Sequence, residues 1–185
     1  MSDENHLIRE CIKKDRKAQY ELYRKYYSFM LSICIRYVHD KEEAASLMNT
    51  GFMKVLSNLE KYREEVPFEL WIRKIMINTL IDDYRKKEKM KSKMEIKELD
   101  EKKVDETVSV LNMAVRMMNL EQLHQFISRL PAASQKVFNL YVIDGFTHPE
   151  IAAMLNISEG TSKWYLSTAR HTLQQMILNF NKVFK

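Results

Sequence analysis

A stretch from Thr147 to Leu173 contains two helix starts at the separation of a helix-turn-helix motif. It reads THPEIAAMLNISEGTSKWYLSTARHTL. Thr147 and Glu150 form a T-x-x-E capping box, which favours the start of a helix. Asn156 stands where the chain must turn, because Asn tolerates the left-handed conformation better than most residues, and Ser158 can cap the second helix. These signals predict a short helix, a sharp turn and a second helix.

One side of the second predicted helix is apolar, and the other side is polar and basic. The residues that recur at the spacing of one inward stripe are Ser162, Leu166, Ala169 and Leu173. The opposite side carries Lys163, Trp164, Ser167, Arg170 and His171. A short helix that supports a second helix of this kind is typical of motifs that place side chains in the major groove of DNA. An ordinary helical hairpin is the alternative interpretation.

The composition predicts an all-α protein with short loops. The 185 residues include only three glycines and three prolines, whereas average usage is about 7% and 5%. So few glycines cannot build a glycine-rich phosphate loop or a dinucleotide-binding fingerprint, which disfavours enzymes driven by nucleotides. The formal net charge of +5 suits a polyanionic partner, although the local basic clusters are the stronger argument.

Side chains that hold metals or act as nucleophiles are scattered along the chain. The only two cysteines, Cys11 and Cys34, lie in helical patterns, and we interpret them as small buried hydrophobic residues. The five histidines show no zinc spacing, so no catalytic residue, metal or cofactor is expected. The acidic N-terminus is unlike a signal peptide, and no apolar run approaches about 18 residues. We therefore expect a cytoplasmic protein with no membrane insertion of its own.

Apolar periodicity divides the chain into two small helical domains joined by a charged linker. Residues 5–90 are predicted to form a bundle of amphipathic helices, residues 91–117 the linker, and residues 118–185 a domain that ends in the helix-turn-helix. The stripes of the bundle are Leu22, Tyr26, Phe29, Ile33 and Tyr37; Ala44, Met48, Phe52, Val55 and Leu59; and Phe68, Trp71, Ile72, Ile75 and Thr79.

Both halves of the chain resemble the sigma-70 family of RNA polymerase sigma factors, and within it the extracytoplasmic-function (ECF) group. The C-terminal half is similar to the family's fourth conserved region through the segments GFT, EIA, ISEGTSK and AR. In the N-terminal half, Trp71-Ile72, Ile75 and Asn78-Thr79 resemble the W-L-x-x-I-A-x-N segment of the second region. The stretch from Asn49 to Val55 resembles the family's polymerase-binding helix.

The resemblance implies that the second helix of the motif reads the −35 element of a promoter. The residues it assigns there are Thr161, Lys163, Trp164, Ser167 and Arg170. It places Lys163, Trp164 and Ser167 at the bases, and Thr161 and Arg170 at phosphates, which fits the division between base readout and phosphate contacts. The family usually has a small polar residue at Trp164, so this indole lies either against a thymine methyl or sugar, or on the neighbouring helix. Ser162 replaces a usual Val, which predicts slightly weaker packing.

For the −10 element the resemblance implies a base-extruding pocket and a basic track. The residues it assigns there are Tyr62, Arg63, Lys74, Asn78, Arg85 and Lys86. Asn78 matches the residue that reads an extruded base, and Tyr62 and Arg63 lie in the loop that completes the pocket. The alternative for Asn78 is an ordinary polar residue near a helix end. Trp71 is expected in the core, and Asp82 is expected to orient Arg85 three residues on.

A third surface is implied to bind core RNA polymerase. Its residues are Glu42, Glu43, Ser46, Asn49, Thr50 and Met53. The family usually has an acidic residue, Gln and another acidic residue where this chain has Ser46, Asn49 and Thr50. The face would then depend on Glu42, Glu43 and the apolar Met53, which predicts weaker core affinity or a co-varying partner surface.

The resulting hypothesis is a non-enzymatic sigma factor that directs core polymerase to −10 and −35 elements. Its implied partners are the β′ clamp helices and β flap of polymerase, promoter DNA and an anti-sigma factor. One alternative is a helix-turn-helix regulator that does not engage polymerase, which the lost acidic residues keep open. Another is a nucleic-acid or phosphate enzyme, which the absence of a clustered Asp/Glu/His site disfavours.

Overall fold

Aspartate caps start two of the helices of the N-terminal half, Arg16–Tyr37 and Lys41–Asn58. The computed structural model describes residues 3–91 and 120–183. Asp15 accepts a hydrogen bond from the amide of Ala18 (2.8 Å), and Asp40 accepts one from the amide of Glu43 (2.7 Å). Both contacts satisfy amides that a helix start leaves without a partner. The helices here are α1 (Asp3–Ile12), α2 (Arg16–Tyr37), α3 (Lys41–Asn58), a 3₁₀ turn (Leu59–Lys61) and α4 (Phe68–Lys91).

The predicted apolar stripes form the core of this helical bundle. The α3 stripe from Ala44 to Leu59 is buried throughout, with no member more than 7% exposed. Gly51 lies where α3 meets α4, and a Cβ there would collide with the buried side chain of Met76. Phe29, Trp71 and Ile75 are only half-buried, and for Trp71 this corrects the prediction that it lies in the core.

The C-terminal half is also helical. Its helices are α5 (Leu120–Ser128), α6 (Ala132–Phe138) with a π-helical turn (Asn139–Ile143), α7 (His148–Leu155) and α8 (Glu159–Val183). The prediction of an all-α fold class is confirmed, and residues 3–91 and 120–183 contain no strand. The chain divides into two units, Met1–Lys91 and Ser92–Lys185. The predicted linker, residues 91–117, lies outside the described residues except for Lys91.

The helix-turn-helix signals are confirmed in α7 and α8. Thr147 and Glu150 form the reciprocal capping box, and Asn156 ends α7 in the left-handed conformation with a φ of 55°. The hydroxyl of Ser158 accepts a hydrogen bond from the amide of Thr161 (2.9 Å) at the start of α8. The inward stripe of α8 is buried, since Ser162 is 0% exposed and Leu173 is 1% exposed.

Both cysteines are buried, as predicted. Burial, together with nearby carboxylates, raises the pKa of the Cys11 thiol to about 11. Burial raises the pKa of Cys34 to about 12. Both thiols are therefore protonated near neutral pH and act as packing groups. Among the described residues, no helix is long and apolar enough to cross a membrane.

Candidate nucleic-acid and partner surfaces

The outer side of α8 concentrates positive charge over its first three turns. At about 100° per residue, Lys163, Ser167 and Arg170 share one side of the helix, and Trp164 lies on its flank. Lys163 and Arg170 are exposed, whereas Trp164 and Ser167 are half-buried. The Trp164 ring lies 5.1 Å from the Tyr165 ring in an edge-on arrangement. Two cations on a helix whose other side is buried form a surface suited to a phosphate backbone.

Thr161 lies at the start of α8 and takes part in its cap. Its hydroxyl lies 2.8 Å from the hydroxyl of Ser158, which also accepts from the Thr161 amide. This places Thr161 about 160° around the helix from Lys163. The structure therefore groups Thr161 with the turn between α7 and α8 rather than with the Lys163 side.

His148, which the sequence interpretation did not assign to the site, lies beside this basic surface. Its Nδ1 is 2.9 Å from the Oγ of buried Ser162, and its ring stacks on Tyr141 with centroids 4.5 Å apart. Burial lowers the pKa of His148, and the positive charges of Lys163 and Arg170 lower it further against the smaller opposing effect of Glu159. The buried Ser162 hydroxyl thus has a hydrogen-bond partner, and the slightly weaker packing expected at this position stays a prediction.

Four of the six candidate −10 residues, Lys74, Asn78, Arg85 and Lys86, lie on α4. Trp71, Lys74, Asn78 and Arg85 follow at i, i+3, i+7 and i+14, so they share one side of the helix. Lys74, Asn78 and Arg85 are exposed. Lys86 is exposed too, but it lies about 120° around the helix from Lys74.

An aromatic cluster joins the preceding loop to the start of α4. The Tyr62 ring lies 4.9 Å from Phe68 and 5.4 Å from Trp71, and Phe68 and Trp71 stack at 5.6 Å. The Tyr62 hydroxyl donates to the carbonyl of Val66 (2.7 Å). Tyr62 is therefore held against α4, while its loop neighbour Arg63 is exposed. The half-buried Trp71 adds a partly exposed aromatic ring to this surface.

Asp82 ties α4 to α3. Its carboxylate accepts from the Nζ of Lys54 at 3.2 Å. The structure thus gives Asp82 a partner on the neighbouring helix, and its expected pairing with Arg85 on its own helix stays a prediction. Periodicity along one helix could not reveal a partner 28 residues away.

The candidate polymerase-binding residues form an exposed side of α3, which we call the α3 face. Its members are Glu42, Ser46, Asn49, Thr50 and Met53, all of them exposed. Met53 is 60% exposed, and the Thr50 hydroxyl donates to the carbonyl of Ser46 (3.0 Å). The Oδ1 of Asn49 accepts from the hydroxyl of Tyr23 on α2 (3.0 Å). The Asn49 side-chain nitrogen can then donate a hydrogen bond to a partner protein.

Glu43 is half-buried, and its carboxylate already has an ion-pair partner. Its carboxylate is paired with Lys87 on α4, and Lys87 is also 2.8 Å from Asp83. The sequence interpretation relies on Glu42 and Glu43 together for charge attraction to polymerase. The structure leaves that attraction mainly to Glu42.

Comparison with known proteins finds the same family in both halves of the chain. Residues 22–90 match the profile described as Sigma-70 region 2, and residues 120–173 match Sigma-70, region 4. The chain is 23% identical to the RNA polymerase sigma-H factor of Pseudomonas aeruginosa, covering 94% of this chain and 93% of that protein. It is 29% identical to the RNA polymerase sigma factor YlaC of Bacillus subtilis, covering 91% and 93%.

Further relatives carry the name of the ECF group. The ECF RNA polymerase sigma-E factor of Escherichia coli is 22% identical, with 92% of each chain covered. Among solved structures, the sigma factor RpoE of Bartonella quintana, in complex with the anti-sigma factor NepR, matches with a TM-score of 0.50. That match has 17% identity and covers 86% of this chain and 96% of that chain. At this identity, the structural likeness supports the fold.

Proposed function

Since the chain belongs to the sigma-70 family of RNA polymerase sigma factors, in its ECF group, we propose that its two units read the −10 and −35 elements of one promoter while the α3 face binds polymerase. The protein is a sigma factor that directs core RNA polymerase to promoters for transcription initiation. The α8 surface is the observation that carries the proposal, because exposed Lys163 and Arg170 lie on a helix whose inward stripe is buried.

In this proposal, residues 118–185 bind the −35 element. Lys163, Trp164 and Ser167 contact base edges, and Arg170 contacts a phosphate. Thr161 contacts the DNA backbone from the turn between α7 and α8, where its hydroxyl can accept from Ser158 and donate to a phosphate oxygen.

Residues 5–90 recognise and melt the −10 element. Asn78 reads a base extruded from the duplex, next to the surface that Tyr62 and Trp71 form at the start of α4. Arg63, Lys74, Arg85 and Lys86 lie along the strand backbone. Extrusion costs a few kcal/mol, which stacking on aromatic rings and hydrogen bonds to the base edge must offset. The partly exposed rings of Tyr62 and Trp71 supply such a stacking surface.

The proposed partners follow from the same surfaces. The α3 face binds the β′ clamp helices, the C-terminal unit contacts the β flap, and an anti-sigma factor holds the protein inactive. The B. quintana relative is seen with such a factor. The relatives are sigma factors, and we propose that this protein likewise acts in the cytoplasm and performs no catalysis.

The Asn49→Ala variant tests the α3 face. One lost interfacial hydrogen bond contributes about 0.5–1.5 kcal/mol, so we expect the dissociation constant for core polymerase to rise about two- to tenfold. The fold should be unaffected, because Asn49 is exposed. Fluorescence anisotropy of the labelled full chain with purified core polymerase measures the affinity, and circular dichroism monitors the helices.

A matched control lies on the same helix. Ser57 is exposed and its hydroxyl donates to the carbonyl of Met53 (2.8 Å), so Ser57→Ala should keep wild-type affinity. Tyr23→Phe keeps the ring but frees Asn49, and it should fall between wild type and Asn49→Ala. An unchanged dissociation constant for Asn49→Ala would remove this helix from the interface.

A further inference from the structure

His148 occupies the junction between the two helices of the helix-turn-helix. It is the first residue of α7, directly after the Thr147 cap. Its ring lies between Tyr141, on which it stacks at 4.5 Å and 25°, and Ser162 of α8, whose Oγ is 2.9 Å from Nδ1. The capped helix start therefore holds the backbone of His148, while the stack on Tyr141 and the hydrogen bond to Ser162 hold its imidazole ring.

The hydrogen bond acts on the part of α8 that carries the basic surface. Ser162 is 0% exposed, so bulk water cannot take the place of His148 as the hydrogen-bond partner of its hydroxyl. Loss of the His148 side chain would therefore leave a buried polar group unsatisfied. Lys163 follows Ser162 directly, and Arg170 lies two turns further along the same side. A shift of α8 at Ser162 would therefore move both cations.

We propose that His148 is a positioning residue for promoter recognition: its bond to Ser162 and its stack on Tyr141 hold α8 in the orientation that presents Lys163 to the −35 element. This inference rests on the proposed function of α8. It assigns His148 no base contact of its own. Ser162, with its buried hydroxyl, is the other half of the same contact.

The charges around the His148 ring distinguish a positioning role from electrostatic attraction of DNA phosphates by a charged imidazole. The groups that face His148 are Lys163, Arg170 and Glu159 from α8 and the ring of Tyr141 from the π-helical turn. Burial and the two cations lower the pKa of His148, so the imidazole is neutral at pH 7.5. A neutral ring can pair with Ser162 in either tautomer, and it brings no positive charge to DNA.

Three substitutions at this position isolate the hydrogen bond. His148→Asn keeps a polar atom near the place of Nδ1, His148→Phe keeps a stacked ring without that atom, and His148→Lys adds a charge while losing ring and bond. Each variant full chain is assembled with core polymerase and tested on a promoter that the wild-type holoenzyme selects from a random-sequence library. The readout is the ratio of initiation with an intact −35 element to initiation with a scrambled one.

We expect His148→Phe and His148→Lys to lower this ratio by about two- to tenfold, as the loss of one hydrogen bond implies, while His148→Asn restores most of it. Ser162→Ala should match His148→Phe, and combining the two should add little. Initiation on the scrambled template should stay at the wild-type level in all of them. Circular dichroism and thermal unfolding identify any variant that fails to fold, in which case Ser162→Ala decides.

Other results would overturn the inference. A wild-type ratio in both His148→Phe and Ser162→Ala would show that the bond has no role, and a ratio for His148→Lys at or above wild type would indicate phosphate attraction instead. A loss in His148→Asn as large as in His148→Phe would point to general packing. If Lys163→Ala also leaves the ratio unchanged, the proposed −35 role of α8 fails; if Lys163→Ala lowers it while His148→Phe does not, only the positioning role fails.

Discussion

Replacing Lys163 and Trp164 together by alanine is expected to reduce −35-dependent initiation by roughly a hundredfold. Each well-formed base contact in the major groove contributes about 1–3 kcal/mol of discrimination, and the double variant removes two of the proposed contacts. Lys163 is exposed and Trp164 half-buried on a helix whose stability comes from its inward stripe, so the fold should survive. The measurement is initiation by reconstituted holoenzyme on templates with an intact or a mutated −35 element.

Gln175→Ala is the matched control, because Gln175 is exposed further along α8 and beyond the basic surface. It should retain full −35 dependence. The double variant should initiate almost equally on both templates, since it lacks two of the three proposed base contacts. Equal activity on the two templates in wild type and double variant alike would refute the role of α8.

Asn78→Ala is expected to slow promoter opening by at least about tenfold. Without the amide, the extruded base loses its edge hydrogen bonds, and the cost of unstacking, a few kcal/mol, is no longer offset. Closed-complex formation should change little, because the −35 contacts and the polymerase-binding surface remain. A fluorescent base analogue in the −10 element reports opening in real time.

Glu69→Gln provides the comparison for Asn78→Ala. Glu69 is exposed in the first turn of α4, and its change should leave opening at the wild-type rate. A pre-melted template should restore most of the activity of Asn78→Ala, because the duplex no longer has to be opened. An unchanged opening rate with an unchanged preference at the −10 bases would support the alternative that Asn78 is an ordinary polar residue.

The helix-turn-helix was predictable because its signals are local. The capping box of Thr147 and Glu150, the left-handed Asn156 and the inward stripe of α8 each depend on residues a few positions apart, where spacing determines geometry. The same holds for the buried stripe of α3. Caps and periodicity therefore predicted the elements that place the candidate surfaces.

Contacts between elements were not predictable in the same way. The Tyr23–Asn49, Lys54–Asp82 and Glu43–Lys87 pairs join residues 26, 28 and 44 positions apart. They depend on how helices cross, which periodicity along one helix does not specify. His148 was missed for this reason, although a histidine at a helix start ahead of a serine on an inward stripe was a signal that could have suggested the pair.

These contacts also change the electrostatics proposed for polymerase binding. Lys87 is shared between Glu43 and Asp83, and exposed ion pairs of this kind contribute about 0–1 kcal/mol. The α3 face then offers Glu42, an amide held by Tyr23 and the exposed Met53. Affinity for core polymerase should accordingly depend little on salt, since few charges are left to be screened.

Run-off transcription with purified core polymerase and a matched promoter tests the central claim most directly. We predict a transcript with one defined start site that requires the full chain and both promoter elements. No transcript, with core polymerase otherwise active and the chain still bound to the −35 duplex, would contradict the account and leave a groove-binding regulator in its place.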